Sequence, residues 1–139
     1  MTLRQSAALA GLFCAAVGFS ASATTVQFQT VMGDFEVNLF DQTTPKTVEN
    51  FLAYVNEDAY KNTIVHRVER NFVVQGGGYR YEDKLPLVMA AQKPSVANEP
   101  VCSNLRGTIA MAKLGSQPNS ATNQWFINLS DKNADNLDT

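Results

Sequence analysis

The residues with the widest chemical range sit together between Thr63 and Gly78, in the stretch TIVHRVERNFVVQGGG. It holds the only histidine, His66, beside Arg67. An apolar run, Phe72-Val73-Val74, follows and is closed by Gln75 and three glycines. No serine or cysteine motif stands beside His66 to form a nucleophile–base pair. The chain has neither a G-x-S-x-G nor an HExxH pattern, so hydrolase chemistry has no carrier. A single histidine and scattered cysteines do not make a metal set. What remains is a fixed cation, side-chain amides and apolar groups. Each has a plainer reading when taken singly. Arg67 reads as a surface charge paired with Glu69 or Glu82. His66 reads as a hydrogen-bonded core residue, and Phe72, Val74, Phe126 and Trp125 read as packing. Gln75 and Gln124 read as solvated amides.

The elements that must position these groups follow from periodicity. Thr63 to Val68 is β-branched enough for a strand, and Phe72 to Gln75 reads as a second short strand. Glu69-Arg70-Asn71 is a link of hairpin length. Alternation puts Arg67 on the face opposite His66, and it separates Phe72 and Val74 from Val73 and Gln75. Glycines after a strand allow a sharp turn or a close approach to a ligand. Upstream, Thr25–Thr30 and Phe35–Phe40 alternate around Gly33-Asp34, which predicts a β-hairpin. The period then changes. Val48, Phe51, Leu52 and Val55 fall at i, i+3, i+4 and i+7, predicting an amphipathic helix from Pro45 to Asn56 with Thr44 as N-cap. Tyr79 to Pro100 is long, carries three prolines and reads as irregular. Arg106–Ala112 reads as a turn into a strand, Gly115–Ala121 as a polar loop, and Gln124–Leu129 as a further strand. The fold class is mostly β and antiparallel, with one early helix.

The chain has 139 residues, enough for one domain, with 45% hydrophobic residues and a formal charge of −2. That balance offers no basic footprint for nucleic acid. Residues 1–23 read as a signal peptide: Arg4 gives a positive start, Ala7–Phe19 an apolar core, and Ala21-Ser22-Ala23 a cleavage site. The apolar core is too short to span a bilayer. Cleavage after Ala23 is expected to leave a 116-residue domain over 24–139 with its N-terminus at Thr24, exported to the periplasm and free of the membrane. Cys14 would leave with the signal peptide. Cys102 would remain without a disulfide partner, and is expected to be a small buried hydrophobe.

The ordered pattern Tyr60, Thr63, His66-Arg67, Phe72-Val73-Val74-Gln75, Gly76-Gly77 strongly resembles the cyclophilin family of peptidyl-prolyl cis-trans isomerases. Two further stretches resemble it as well: Gly107–Ala112, close to the family's Gly-x-x-apolar-Met-Ala, and Gln124-Trp125-Phe126-Ile127, close to its Ser-Gln-Phe-Phe-Ile. The Pro-x-Thr-Val-x-Asn-Phe order of 45–51 and the Asn98-Glu99 pair also match. The resemblance implies an antiparallel β-barrel with a capping helix. It implies catalysis of X-Pro isomerisation during protein folding, on proline-containing segments of unfolded or partly folded proteins, by a monomer needing no cofactor or metal. Carried over residue by residue, it implies Arg67 as the catalytic residue. Phe72, Val73, Phe126 and Leu137 become the proline socket, and Gln75, Gln124, Ala112 and Lys113 the groups holding the flanking backbone. Departures are Glu69 at a usually apolar position, Val73 for methionine, Lys113 for asparagine, and Asn136 where many members carry tryptophan. That last change implies weak cyclosporin binding. A non-catalytic binder or holdase of the same segments is the alternative.

The resemblance covers Val26 to Asp138. It implies further strands, a second helix and an active-site histidine after Asp138, so a C-terminally incomplete domain is expected. Residues 24–139 alone are then expected to be aggregation-prone or molten, with little activity, because a barrel lacking its closing strands leaves edges unpaired.

Overall fold

The computed structural model describes residues 23–138. The expected signal peptide, apart from Ala23, lies outside them. Among the described residues, seven strands and two helices follow in chain order: β1 Thr25–Phe28, β2 Phe35–Asn38, α1 Pro45–Asn56, β3 Thr63–Val68, β4 Val73–Arg80, β5 Val88–Met89, β6 Ile109–Met111, β7 Trp125–Asn128 and α2 Ala134–Leu137. All strand pairings are antiparallel. β1 and β2 form a two-stranded sheet in the register Thr25↔Asn38 to Phe28↔Phe35. The second sheet has the order β3-β4-β7-β6, with β5 added to the far end of β4.

The hairpins and α1 form where the periodicity puts them, and α1 has the bounds expected. Its buried face is Val48, Phe51 and Tyr54, with Leu52 and Val55 half-buried beside it. Tyr54 extends the stripe beyond the apolar pattern. Its hydroxyl accepts the Lys93 backbone N–H at 2.7 Å, which lets a phenol be buried without an orphaned oxygen.

The core lies where hairpin, helix and larger sheet meet. Phe28 stacks on Phe35 at 4.7 Å, lies 6.2 Å from Phe51, and meets Trp125 edge-on at 5.1 Å. Each layer thus gives an aromatic to one cluster, and such pairs contribute about 0.5–1.5 kcal/mol each beyond their buried area. Among the described residues no strand pair joins the hairpin to the larger sheet; side-chain packing holds it there.

Three local expectations are corrected. The glycines after Gln75 do not end the strand, because β4 runs through Gly76, Gly77 and Gly78 to Arg80. They are required by what lies over them. A Cβ on Gly76 would stand 2.7 Å from the Trp125 ring, and one on Gly77 would stand 2.8 Å from the Asn123 carbonyl, at a φ of 83°. Thr44 precedes α1 but makes no side-chain cap. Its hydroxyl turns back to the Phe40 carbonyl at 3.3 Å, and Glu99 caps the helix instead. Cys102 is half-buried against a cleft and lies outside the apolar core. Two elements are additional. β5 organises part of the long Tyr79–Pro100 segment, and residues 131–137 wind into a 3-10 turn followed by α2.

Candidate functional site

Strand register assembles the site. Arg67 pairs with Gln75, Gln75 with Phe126, and Phe126 with Ala110, so one row crosses β3, β4, β7 and β6. All four residues line a cleft of about 340 Å³. Register shifts between Thr63 and Arg67 allow β3 to deliver Arg67 to this row while His66 packs edge-on against Tyr79, 5.0 Å away. The expected opposition of His66 and Arg67 is therefore found. His66 is only half-buried, and its Nδ1 has no hydrogen-bond partner among the described residues, contrary to the hydrogen-bonded core role expected of it.

The β3–β4 turn fixes the next groups. The Glu69 N–H donates to the Val73 carbonyl at 2.8 Å, and the N–H groups of Phe72 and Val73 return to the Glu69 carbonyl. Asn71 takes the left-handed conformation at φ 59°, which asparagine tolerates better than most residues. Phe72 and Val73 thereby form the apolar end of the cleft, Val73 almost fully buried. Phe72 shares the cleft with Val73 although it is adjacent in sequence, because it belongs to the turn rather than to β4.

Arg67 is held on three sides. Its Nε and Nη2 donate to Glu69 Oε1 at 3.2 and 2.9 Å, and Nη1 donates to Gln75 Oε1 at 3.4 Å. The guanidinium lies 5.5 Å from the centre of the Phe72 ring. Gln75 Nε2 then donates to Gln124 Oε1 at 2.8 Å, so the two amides and the cation form one chain. The pairing of Arg67 with Glu69 expected of a surface charge is present, with both partners about half exposed. Such a pair contributes only about 0–1 kcal/mol to stability. It orders the guanidinium more than it holds the fold.

Ala112, Lys113 and Phe126 also line the cleft, as do Asn136 and Leu137 from α2. The Ala112 amide N–H is not free to hold a ligand, because it donates to the Gln124 carbonyl at 2.8 Å. Of the residues expected in the site, Arg67, Phe72, Val73, Gln75, Ala112, Lys113, Phe126 and Leu137 line one cleft. Gln124 stands behind Gln75.

Two supports were not read from sequence as parts of the site. Glu99 lines the cleft and accepts the backbone N–H of Lys46 and both the N–H and hydroxyl of Thr47. Partial burial raises its pKa, and the bonds from Thr47 and Lys46 outweigh that, holding it below its ordinary value. The second support is an asparagine relay. Asn133 Nδ2 donates to the Phe72 carbonyl and to Asn128 Oδ1, both at 2.7 Å. Asn128 Nδ2 donates to Asn104 Oδ1 at 3.1 Å, and Asn104 donates to Asp138 Oδ1 at 2.8 Å. The bonds from Asn104, and one from Ser103, keep the Asp138 carboxyl below its usual range. Polar residues recurring at 128 and 133 beside an apolar strand were the available signal. No cluster of three metal-ligating side chains occurs among the described residues, and no described helix is long and apolar enough to cross a membrane.

Comparison with known proteins places this arrangement. The family model described as cyclophilin type peptidyl-prolyl cis-trans isomerase/CLD matches residues 25–139. The peptidyl-prolyl cis-trans isomerase of Acinetobacter baylyi is 38% identical over 133 residues, covering 96% of this chain and 68% of its own. Peptidyl-prolyl cis-trans isomerase B of Escherichia coli is 44% identical over 108 residues, covering 76% of this chain and 63% of its own. Peptidyl-prolyl cis-trans isomerase A of Dickeya dadantii is 45% identical over 116 residues, and the chain spans 58% of its length. A crystal structure of a Cryptosporidium parvum cyclophilin type isomerase, determined in the presence of the dipeptide Ala-Pro, superposes with a TM-score of 0.63 at 31% identity. The match covers 78% of this chain and 69% of that one. With 115 of its residues matched by the family model and three stretches of sequence converging on one cleft, the chain belongs to the cyclophilin type peptidyl-prolyl cis-trans isomerase family.

Proposed function

We propose that this protein accelerates the cis-trans isomerisation of X-Pro bonds in unfolded or partly folded proteins. One observation carries the reading: a cationic donor (Arg67), an amide (Gln75) and an apolar side chain (Phe126) lie along one row, and Phe72, Val73 and Leu137 line the same cleft. Rotation about a peptide bond is opposed by roughly 18–20 kcal/mol of lost delocalisation. A planar prolyl nitrogen has its lone pair committed to the amide and accepts hydrogen bonds poorly. As the bond twists, the lone pair localises and becomes an acceptor. A guanidinium N–H from Arg67 set against that nitrogen is therefore stronger in the twisted state than in either planar isomer, which is the condition for catalysis. Phe72, Val73, Phe126 and Leu137 hold the proline ring, while Gln75, braced from behind by Gln124, holds the flanking backbone. No bond to a heavy atom is made or broken, so no nucleophile is required.

A binding-only role is favoured by one feature: Glu69 already engages two donors of Arg67 in the resting site. Turnover separates the readings. The protein expressed from its full reading frame is expected to speed the isomerisation of a proline tetrapeptide, whereas a binder leaves the uncatalysed rate unchanged. We place the activity in the periplasm, supported by the leader pattern over residues 1–23, and expect mass spectrometry of the periplasmic fraction to find an N-terminus at Thr24. Recovery in the cytosol with Met1 retained would contradict that placement.

A further inference from the structure

We propose that Glu69 is a specificity-determining residue of this site. It cancels the Arg67 charge toward the bound segment, and so removes the pull an unpaired guanidinium would exert on acidic residues flanking the proline. The inference rests on the isomerase reading for what the cleft binds. The Glu69 position itself is fixed by the fold. Three backbone hydrogen bonds with Phe72 and Val73 clamp the residue in the β3–β4 turn, and its Oε1 accepts from both Nε and Nη2 of Arg67. The carboxylate is about half exposed, so its field reaches solvent and ligand. Any amide held by Arg67 lies well within one Debye length of it, about 10 Å at moderate salt.

One other cation stands near. Arg70 follows in the same turn and makes no ion pair with Glu69 among the described residues. With Glu69 present, Arg67 adds little net charge to this lip. With its carboxylate removed, Arg67 beside Arg70 would draw anionic segments.

The test uses tetrapeptides carrying Glu, Ala or Lys immediately before proline. Binding is followed by NMR titration and turnover by exchange spectroscopy, in the full-length protein and in Glu69→Gln and Glu69→Leu. Glutamine keeps an acceptor for Arg67 and removes only the charge. The expected result is that Glu69→Gln improves binding of the Glu-Pro peptide relative to the Lys-Pro peptide by about three-fold at low ionic strength, with the gain fading in high salt as screened charges must. Leu gives a similar shift in the binding ratio, with slower turnover of all three peptides because Arg67 loses its alignment. An unchanged ratio in Glu69→Gln, or a change that salt does not diminish, overturns the proposal. Failure of the parent protein to turn over the Ala-Pro peptide would instead overturn the isomerase reading. The binding ratio would still report on Glu69.

Discussion

The Glu99 carboxylate accepts hydrogen bonds from both the backbone N–H and the hydroxyl of Thr47, at 2.8 and 2.7 Å, across 52 residues of sequence. An anion at the start of α1 satisfies orphaned N–H groups and meets the positive end of the helix dipole. One side chain thereby docks the segment leading to Pro100 against the helix, next to the cleft.

Replacing Glu99 by Ala is expected to cost about 1–2 kcal/mol, the usual range for losing a helix cap. Because the folded pKa lies below the ordinary glutamate value, the stabilisation is present in full above that value. It is lost as pH falls through the folded pKa. Urea melts between neutral and acidic pH should show the gap between parent and Glu99→Ala narrowing as acid is added. A gap that stays constant would show that the carboxylate charge is irrelevant to the cap.

Gly33 and Gly77 provide a matched pair. Both have positive φ, 117° and 83°, but a Cβ meets nothing within 4 Å at Gly33 and would stand 2.8 Å from the Asn123 carbonyl at Gly77. Gly33→Ala should therefore cost only backbone strain, about 1–2 kcal/mol. Gly77→Ala should cost a further 1–3 kcal/mol or so from overpacking against Asn123 and Trp125. Thermal melts of the two variants would show it, and equal losses would mean that the ring and carbonyl give way freely.

Asn133→Ala would leave Asn128 Oδ1 without its donor, while the Phe72 carbonyl keeps the Leu129 N–H at 2.8 Å. An orphaned buried acceptor costs about 1–3 kcal/mol, so this variant should be clearly destabilised. Asn104→Ala should cost less, since that residue is only half-buried. The check is denaturant unfolding of both. The reverse order would show that the relay is held together at its Asp138 end.

The sequence carried most of the site because its order is strand-encoded. Once β3, β4, β6 and β7 pair, Arg67, Gln75, Phe126 and Ala110 must fall in one row. The helix was legible to its bounds because Pro45 and an i, i+3, i+4, i+7 stripe mark it. What escaped was non-local. Nothing near Thr44 says that its capping role is taken by Glu99. Nothing near Gly76 says that a tryptophan from β7 lies over it. The glycines resembled a turn because local propensity puts glycine in turns, and tertiary packing overrode it. Nothing near Ala112 says that its amide is spent on the Gln124 carbonyl, because that pairing depends on strands brought together only by folding.

The account turns on Arg67, and the isomerisation rate of a proline tetrapeptide tests it most directly, measured for the protein from its full reading frame and for Arg67→Ala and Arg67→Lys. The parent should exceed the uncatalysed rate. Arg67→Ala should lose on the order of 10²-fold in kcat/KM with its melting temperature nearly unchanged. Arg67→Lys should recover only part of the loss, because an ammonium cannot reproduce the planar fork set by Glu69 and Gln75. A folded Arg67→Ala variant that isomerises as fast as the parent would contradict the account.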